Sequence, residues 1–329
     1  MISVVIPVYN SEKTLAQTLS SVASQTYAAF EVIIVDNGSD DLSMEIAREF
    51  TADPRFRIIH CPARGVSNAR NAGIEAAGGQ YVFFLDADDR LCPDALTDMG
   101  EAAGRENADL VVPNILRKSQ RGDSLIDPDL TDGRIEKADL PELLRLKLPT
   151  YLLHFPFKLY RTELLHEHDI RFDASLSLGE DLIFALDFLE KADCVYCIQK
   201  PLYIYYASFG GLNSKYRDDL AKIKFYLCGR IKKYLETYQK LDEGYYLILL
   251  RDVFALAVNE YLARNPKGIR ELLRQDEVLE LGIYPKRLNA GISGRLVLFC
   301  IRFRLHRLLY FAAGFWFFLN YRLSAGGFN

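Results

Sequence analysis

Long apolar runs are missing from this 329-residue chain: the longest uncharged one, residues 308–319, has 12 residues, whereas a spanning helix needs ~20. No basic segment followed by an apolar stretch opens the sequence, so no signal peptide is expected and the protein is expected to stay where it is made. Cysteine is sparse and irregularly spaced, six in all, which fits a reducing compartment and excludes a disulfide scaffold. Cys194 and Cys197 form one C-x-x-C, but no second pair follows. Val195, Tyr196 and Ile198 around them read as a buried strand rather than a zinc or redox site. Positive charge is not in excess, since 40 Lys and Arg against 44 Asp and Glu leave −4. That balance argues against a nucleic-acid binder that works by neutralising phosphates. Repeats, low-complexity tracts and a Gly- and Lys/Arg-rich phosphate loop after the first apolar run are absent too.

What remains is the usage of an ordinary globular protein, half apolar and about a quarter charged, with length for about two domains. The first 115 residues alternate short β-branched or aromatic runs (2–8, 30–35, 57–60, 81–85, 110–112) with stretches suited to helices (12–25, 42–50, 67–77, 93–103). Such alternation predicts βαβ units and a mostly parallel sheet flanked by helices. In that architecture ligands sit at the carboxyl ends of strands, which directs attention to residues 7–10, 36–39 and 86–89.

Residues 118–141 are polar and turn-rich, as in a surface insertion or linker. A mixed segment follows, with Phe157–Tyr160, a helix over 182–191, and aromatic strands at 194–199 and 202–206. From Lys215 the pattern is helical, with interruptions at Pro266, Pro285, Gly291 and Gly294. Residues 285–329 hold seven Lys and Arg, no Asp or Glu, and the sole tryptophan, Trp316, so the tail carries +7 and the rest −11. Basic residues mixed with Phe299, Phe303, Tyr310, Phe311, Phe315 and Trp316 predict a helix lying in a headgroup region without crossing it; a helix packed on the protein's own core is the competing reading.

Four acidic or basic features stand at strand or helix ends. Asp36 in Val35-Asp36-Asn37-Gly38 is either an Asx-turn, with Gly38 at positive φ, or a ligand-facing carboxylate. Asp86-Ala87-Asp88-Asp89 follows an apolar strand. Alternation puts Asp86 and Asp88 on one side, able to converge on a Mg²⁺ or Mn²⁺ ion, whereas Asp88 or Asp89 could instead cap the helix near Pro93. Ser177-Leu-Gly-Glu180 has the capping-box pattern, and Asp181 beside it is either part of a helix start or a proton acceptor. Arg70, in a Gly-flanked helix start, is either solvated or aimed at the same cleft.

Together these residues resemble the family 2 glycosyltransferases of the GT-A fold. The resemblance rests on Val4-Val-Ile-Pro-Val-Tyr-Asn10, Ser20-Ser-Val-Ala-Ser-Gln25, Val35-Asp36-Asn-Gly-Ser39, Ala69-Arg70-Asn71-Ala-Gly73 and Phe84-Leu-Asp86-Ala-Asp88-Asp89, in the family's order and spacing. Lys158-Leu-Tyr-Arg161, Gly179-Glu-Asp181 and Pro201-Leu-Tyr-Ile-Tyr205 are similar to the acceptor-side half of bacterial members that build surface polysaccharides. The resemblance implies a nucleotide-diphospho-sugar transferase-like sheet with residues 1–115 as the nucleotide-sugar half, 116–214 as the acceptor half, and 215–329 as a helical extension. It implies that Pro7, Tyr9, Asp36, Arg70 and Asp86 line the nucleotide-sugar site, that Asp88 ligates Mn²⁺ or Mg²⁺, and that Asp181 is the general base. Two positions depart from the pattern. Asn37 stands where many members have a second Asp, leaving uridine or another base open, and Ala63-Arg64 stands where an Asn is common.

The reading is then an inverting, metal-dependent glycosyltransferase that takes a nucleotide-sugar, a UDP-sugar first, to a saccharide acceptor, lipid-linked, in cell-surface polysaccharide synthesis. It would be cytoplasmic and peripheral on the cytoplasmic face of the membrane. A nucleotidyltransferase would want a basic phosphate loop that Pro7-Val-Tyr-Asn10 does not supply. A catalytically silent sugar- or nucleotide-binding module is disfavoured by the intact Asp86, Asp88 and Asp181.

Overall fold

A computed structural model describes residues 1–120, 122–126, 132–140, 155–206, 216–238, 241, 243–283 and 292–317. The chain divides into two compact units, Met1–Ser208 and Phe209–Asn329. The first unit holds all of the expected residues 1–115 and those of 116–214 as far as Ser208, so the expected boundary at 214/215 falls six residues later than the division between units.

That unit is built on a ten-stranded sheet. Its strands are β1 (Ile2–Val8), β2 (Phe30–Asp36), β3 (Phe56–His60), β4 (Tyr81–Phe84), β5 (Arg90–Leu91), β6 (Leu110–Lys118), β7 (Ser124–Ile126), β8 (Gly133–Glu136), β9 (Leu159–Arg161) and β10 (Cys194–Tyr206). The order is β3-β2-β1-β4-β9-β6-β10-β5, with β7 on β6 and β8 on β10. The first four strands are parallel, as the alternation predicts; β9 enters antiparallel between β4 and β6, so the full sheet is mixed. Register sets Val8 opposite Asp36 and Asp36 opposite His60. The chain leaves β1, β2 and β3 at one level, and β4 ends opposite Val5.

Helices α1 (Leu15–Ala23), α2 (Ser43–Phe50), α3 (Val66–Ala76) and α4 (Ala95–Glu106) follow the parallel strands. Helix α1 buries Leu15, Leu19 and Val22 at i, i+4, i+7. Helix α3 lies so close to β1 that a Cβ on Gly73 would fall 2.1 Å from a Val5 methyl. Among the described residues, α5 (Thr162–Glu167) and α6 (Glu180–Leu189) follow later in the same unit. Between sheet and α6, Phe84, Tyr160, Phe172, Phe184 and Phe188 form a buried aromatic cluster, with Phe172 and Phe184 stacked at 3.9 Å.

The two aromatic strands expected at 194–199 and 202–206 are one strand, β10, whose register against β6 shifts on either side of Pro201. Proline has no N–H to give the ladder, and the displaced Gln199 carbonyl accepts instead from the Asn114 side chain at 2.8 Å. Cys194 and Cys197 are free and buried in this strand.

The second unit is helical: α7 (Leu220–Thr237), α8 (Glu243–Leu262), α9 (Pro266–Leu272), α10 (Asp276–Ile283), α11 (Ile292–Arg302) and α12 (His306–Phe317). Pro266 takes the first turn of α9, where its missing N–H is harmless, and Asn265 caps the helix by accepting from Gly268 N–H at 3.1 Å. Gly294, expected to interrupt the pattern, lies inside α11, while Pro285 and Gly291 lie outside the described residues. Among the described residues no helix is long and apolar enough to cross a membrane. Helices α11 and α12 bury Val297, Ile301, Leu309 and Ala313 on one face. On the other, Phe299, Phe303, Phe311 and Phe315 are 47–69% exposed beside exposed Arg302 and Arg307.

Candidate active site

The carboxyl ends of β1, β2 and β4 and the start of α3 open onto one cleft of about 970 Å³. Pro7, Tyr9, Arg70, Asp86 and Asp88 all line it, together with Asn37 and Arg64. Asp36 and Asp181 are not among its lining residues.

At the β2 end, Asp36 makes the Asx-turn: its Oδ1 accepts from Gly38 N–H at 3.2 Å and Ser39 N–H at 3.0 Å, and Gly38 has φ +85°. Its Oδ2 meets His60 Nδ1 at 3.2 Å. Desolvation opposes ionisation, but these donors outweigh it and hold the Asp36 carboxyl below its usual range. Asn37 is buried and spans the 61–65 loop, its Oδ1 accepting from Gly65 N–H at 2.7 Å and its amide donating to the Ala63 carbonyl at 2.8 Å. The residue that left the base open in the sequence is thus a loop anchor. The half-exposed Tyr9 ring beside it has the Arg64 guanidinium 5.8 Å from its centroid. Sequence reasoning passed over Arg64 as a site residue; its departure from the common Asn was the signal.

At the β4 end, the Ala87 carbonyl accepts from the hydroxyls of both Thr14 and Thr18 at 2.9 Å, which ties the Asp86–Asp88 turn to α1. Neither Asp88 nor Asp89 caps a helix: α4 begins at Ala95 behind Asp94, with no side-chain cap. Asp89 instead points inward, its carboxylate accepting from Tyr203 Oη at 2.6 Å and Tyr206 N–H at 2.8 Å. Burial first, then the Asp86 charge, pushes its carboxyl up to about 8. Asp88 faces the cleft, and desolvation followed by the Asp86 charge raises its carboxyl above the usual range. Among the described residues no Lys or Arg pairs with it, and no group of three or more His, Cys, Asp or Glu could hold a metal by itself. Two hard oxygen donors, Asp86 and Asp88, fit a Mg²⁺ or Mn²⁺ ion that completes its shell with water and substrate phosphate.

Arg70 is 5% exposed and joins the turn after β4 to the start of α6. Its guanidinium lies 3.0 Å from Asp86 Oδ1 and 3.4 Å from Glu180 Oε1, and 5.2 Å from the Phe172 ring centroid. Among the described residues its Nε has no acceptor. The capping box expected at Ser177-Leu-Gly-Glu180 does not form as drawn: α6 starts behind Gly179 at φ +80° without a side-chain cap, and Glu180 turns to Arg70. Burial first, then the neighbouring Asp181, raises the Glu180 carboxyl despite Arg70. Asp181 sits one residue into α6, its Oδ2 accepting from Phe155 N–H at 2.9 Å.

The Tyr9 ring just past β1 and the Arg64 guanidinium past β3 thus share one cleft with the carboxylates past β4. Residues 3–169 match the model of glycosyl transferase family 2. The chain belongs to that family.

The uncharacterized glycosyltransferase EpsJ of Bacillus subtilis is 30% identical over 293 residues, 84% of this chain and 83% of EpsJ. The poly(ribitol-phosphate) β-N-acetylglucosaminyltransferase TarS of Staphylococcus aureus is 28% identical over 207 residues, 62% of this chain and 35% of TarS. The crystal structure of TarS residues 1–349 with UDP-GlcNAc superposes with a TM-score of 0.71 at 20% identity, over 95% of this chain and 90% of that one. The mannosyltransferase PcManGT of Pyrobaculum calidifontis, with GDP-Man and Mn²⁺, superposes with a TM-score of 0.54 at 14% identity, over 95% and 85%. The family 2 chain is accordingly a glycosyltransferase, with a mixed α/β sheet and a helical C-terminal region.

Proposed function

We propose that this glycosyltransferase moves a sugar, with inversion, from a UDP-sugar to a saccharide acceptor in surface polysaccharide synthesis. The observation that carries the reading is the convergence of Tyr9, Arg64, Arg70, Asp86 and Asp88 on one cleft. TarS, which bears UDP-GlcNAc in its structure and poly(ribitol-phosphate) in its name, supports the donor and acceptor classes. In this reading Pro7 and Tyr9 seat the base, and Asp36 and Asn37 hold the loops around it. A Mn²⁺ or Mg²⁺ ion held by Asp88 with Asp86 would supply positive charge to the departing diphosphate. Arg70 fixes the orientation of Asp86. Asp181 takes the proton from the acceptor hydroxyl as it attacks the face opposite the leaving group, a role worth typically ~10²–10⁴ in rate. The acceptor is lipid-linked in this proposal, and the exposed phenylalanines and arginines of α11 and α12 dock the chain on an anionic membrane face.

The test is a thermal-shift panel of UDP-, GDP- and CDP-sugars with and without Mn²⁺, followed by donor turnover in Asp88→Asn and Asp181→Asn. The reading expects UDP-sugars to stabilise most and Mn²⁺ to strengthen them. Asp88→Asn should lose that metal effect, while Asp181→Asn binds normally and turns over ~10²–10⁴ more slowly. Normal turnover in both variants would return the carboxylates to structural roles.

A further inference from the structure

Lys158 precedes β9 and has no exposed surface at all. A buried amine needs a reason, because a Met of similar length would fill the space without desolvating a charge. Its Nζ donates to the carbonyl of Phe155. Phe155 in turn gives its N–H to Asp181 Oδ2 at 2.9 Å, so one residue is held at both ends of its own backbone. It is held in an unfavourable conformation, since φ is +70° for a side chain that ordinarily avoids the left-handed region. Such a backbone persists only where the surroundings over-determine it, and such positions cluster at functional sites.

The surroundings do so here. The Phe155 ring lies 5.5 Å from that of Phe157, which stacks on Tyr203 at 3.9 Å. Tyr203 donates to Asp89 and accepts from Asp86 N–H at 3.4 Å. The segment carrying Phe155 is thereby braced against the Asp86–Asp89 turn on one side and against Asp181 on the other.

We infer that Lys158 is a positioning residue for transfer, acting through the Phe155 peptide to fix the Asp181 carboxylate. The inference rests on the reading of Asp181 as the base. Burial also drives the Lys158 amine down to about 7 against the pull of the Asp181 charge, which is the opposite of what a stabilising surface lysine shows. A residue kept for the fold alone would not be expected to carry that penalty.

The experiment compares Lys158→Met and Lys158→Gln with wild type, each alone and combined with Asp181→Asn. Turnover is measured on the UDP-sugar that wild type hydrolyses fastest with Mn²⁺, and UDP affinity by calorimetry. Lys158→Met is expected to melt no earlier than wild type, to bind UDP normally, and to lose on the order of 10²-fold in kcat, the usual consequence of a misplaced catalytic group. Lys158→Gln retains an N–H for the Phe155 carbonyl and should recover part of that loss. Added to Asp181→Asn, neither change should slow turnover further, because residues that act as a unit are not additive. Normal kcat in Lys158→Met, additivity with Asp181→Asn, or failure of both Lys158 variants to fold would each overturn the inference. If Asp181→Asn alone turned over normally, the base reading itself would fail, a result distinct from any of these.

Discussion

Replacing Arg70 by Met tests the ion-pair bridge between the turn after β4 and the start of α6. The side chain is buried against the Phe172 ring and answers two carboxylates, Asp86 at 3.0 Å and Glu180 at 3.4 Å. Met fills much of the volume but leaves both carboxylates unanswered, and removing one partner of a buried pair costs about 3–5 kcal/mol. Glu180 is 17% exposed and Asp86 29%, so water compensates Asp86 in part and the lower end, about 3 kcal/mol, applies. At ~2–4 °C per kcal/mol for a unit of this size, the melting temperature should fall by roughly 6–12 °C. The deficit should also depend on pH, in a direction the structure fixes. Burial first and the Asp181 charge second already raise Glu180 above its ordinary value of 4.5, and losing Arg70 raises it further. The folded state then takes up a proton before the unfolded state does, so stability rises as pH falls through that window. Urea melts of the nucleotide-free protein at pH 7.5, 6.5 and 5.5 should show the gap to wild type narrowing. A gap under ~1 kcal/mol, or one that stays flat across that range, would refute the bridge as an energetic element.

Three further outcomes follow from single contacts. Gly73→Ala forces a methyl into Val5 and should destabilise by about 1–3 kcal/mol in chemical denaturation, by overpacking α3 on β1. Glu31→Gln should cost about 1–2 kcal/mol at neutral pH, where the carboxylate accepts from Ser3 Oγ and Gly78 N–H, both at 2.7 Å, and pairs with Arg57. Desolvation works against that carboxylate but is outweighed, leaving its folded pKa below 4.5, so the deficit is full above that value and disappears as pH falls through the folded pKa. Phe303→Ser with Phe311→Ser should abolish co-sedimentation with anionic vesicles at low salt without lowering the melting temperature, since both rings face solvent; binding that survives would remove the membrane role from α11 and α12.

Elements fixed by local pattern were legible in the sequence. Strand β1 has the expected bounds, and α1, α2 and α3 begin and end within three residues of expectation, because apolar alternation and helical spacing are written into adjacent residues. The D-N-G turn was legible for the same reason, as was the strand reading of C-x-x-C: in an extended chain residues three apart point to opposite faces. Strand β9, three residues long and antiparallel, carries no pattern of its own; what makes it a strand is the gap between β4 and β6. Strand β10 looked like two because Pro201 interrupts the donor pattern, although the ladder resumes beyond it.

The site divides along the same line. Asp86 and Asp88 both line the cleft, but a turn closed by Asp89 N–H on the Asp86 carbonyl at 3.1 Å, not strand alternation, brings them there. That Glu180 leaves its helix start to meet Arg70 follows from nothing nearby, since the partner lies 110 residues away and a capping box is the locally cheaper arrangement. The structure shows why the exchange is favourable. An Arg buried between sheet and α6 needs a second carboxylate within reach, and Gly179 at positive φ directly precedes Glu180, the first residue of α6, whose side chain supplies it. The same argument explains three carboxylates in four residues after β4. Asp86 is answered by Arg70, whereas burial and the Asp86 charge raise the Asp89 carboxyl to about 8 despite Tyr203 and the Tyr206 N–H, so the repulsion is relieved by an ion pair at one position and a retained proton at the other. Of the three, Asp88 keeps its carboxyl turned to the cleft and, among the described residues, has no cationic side chain paired with it.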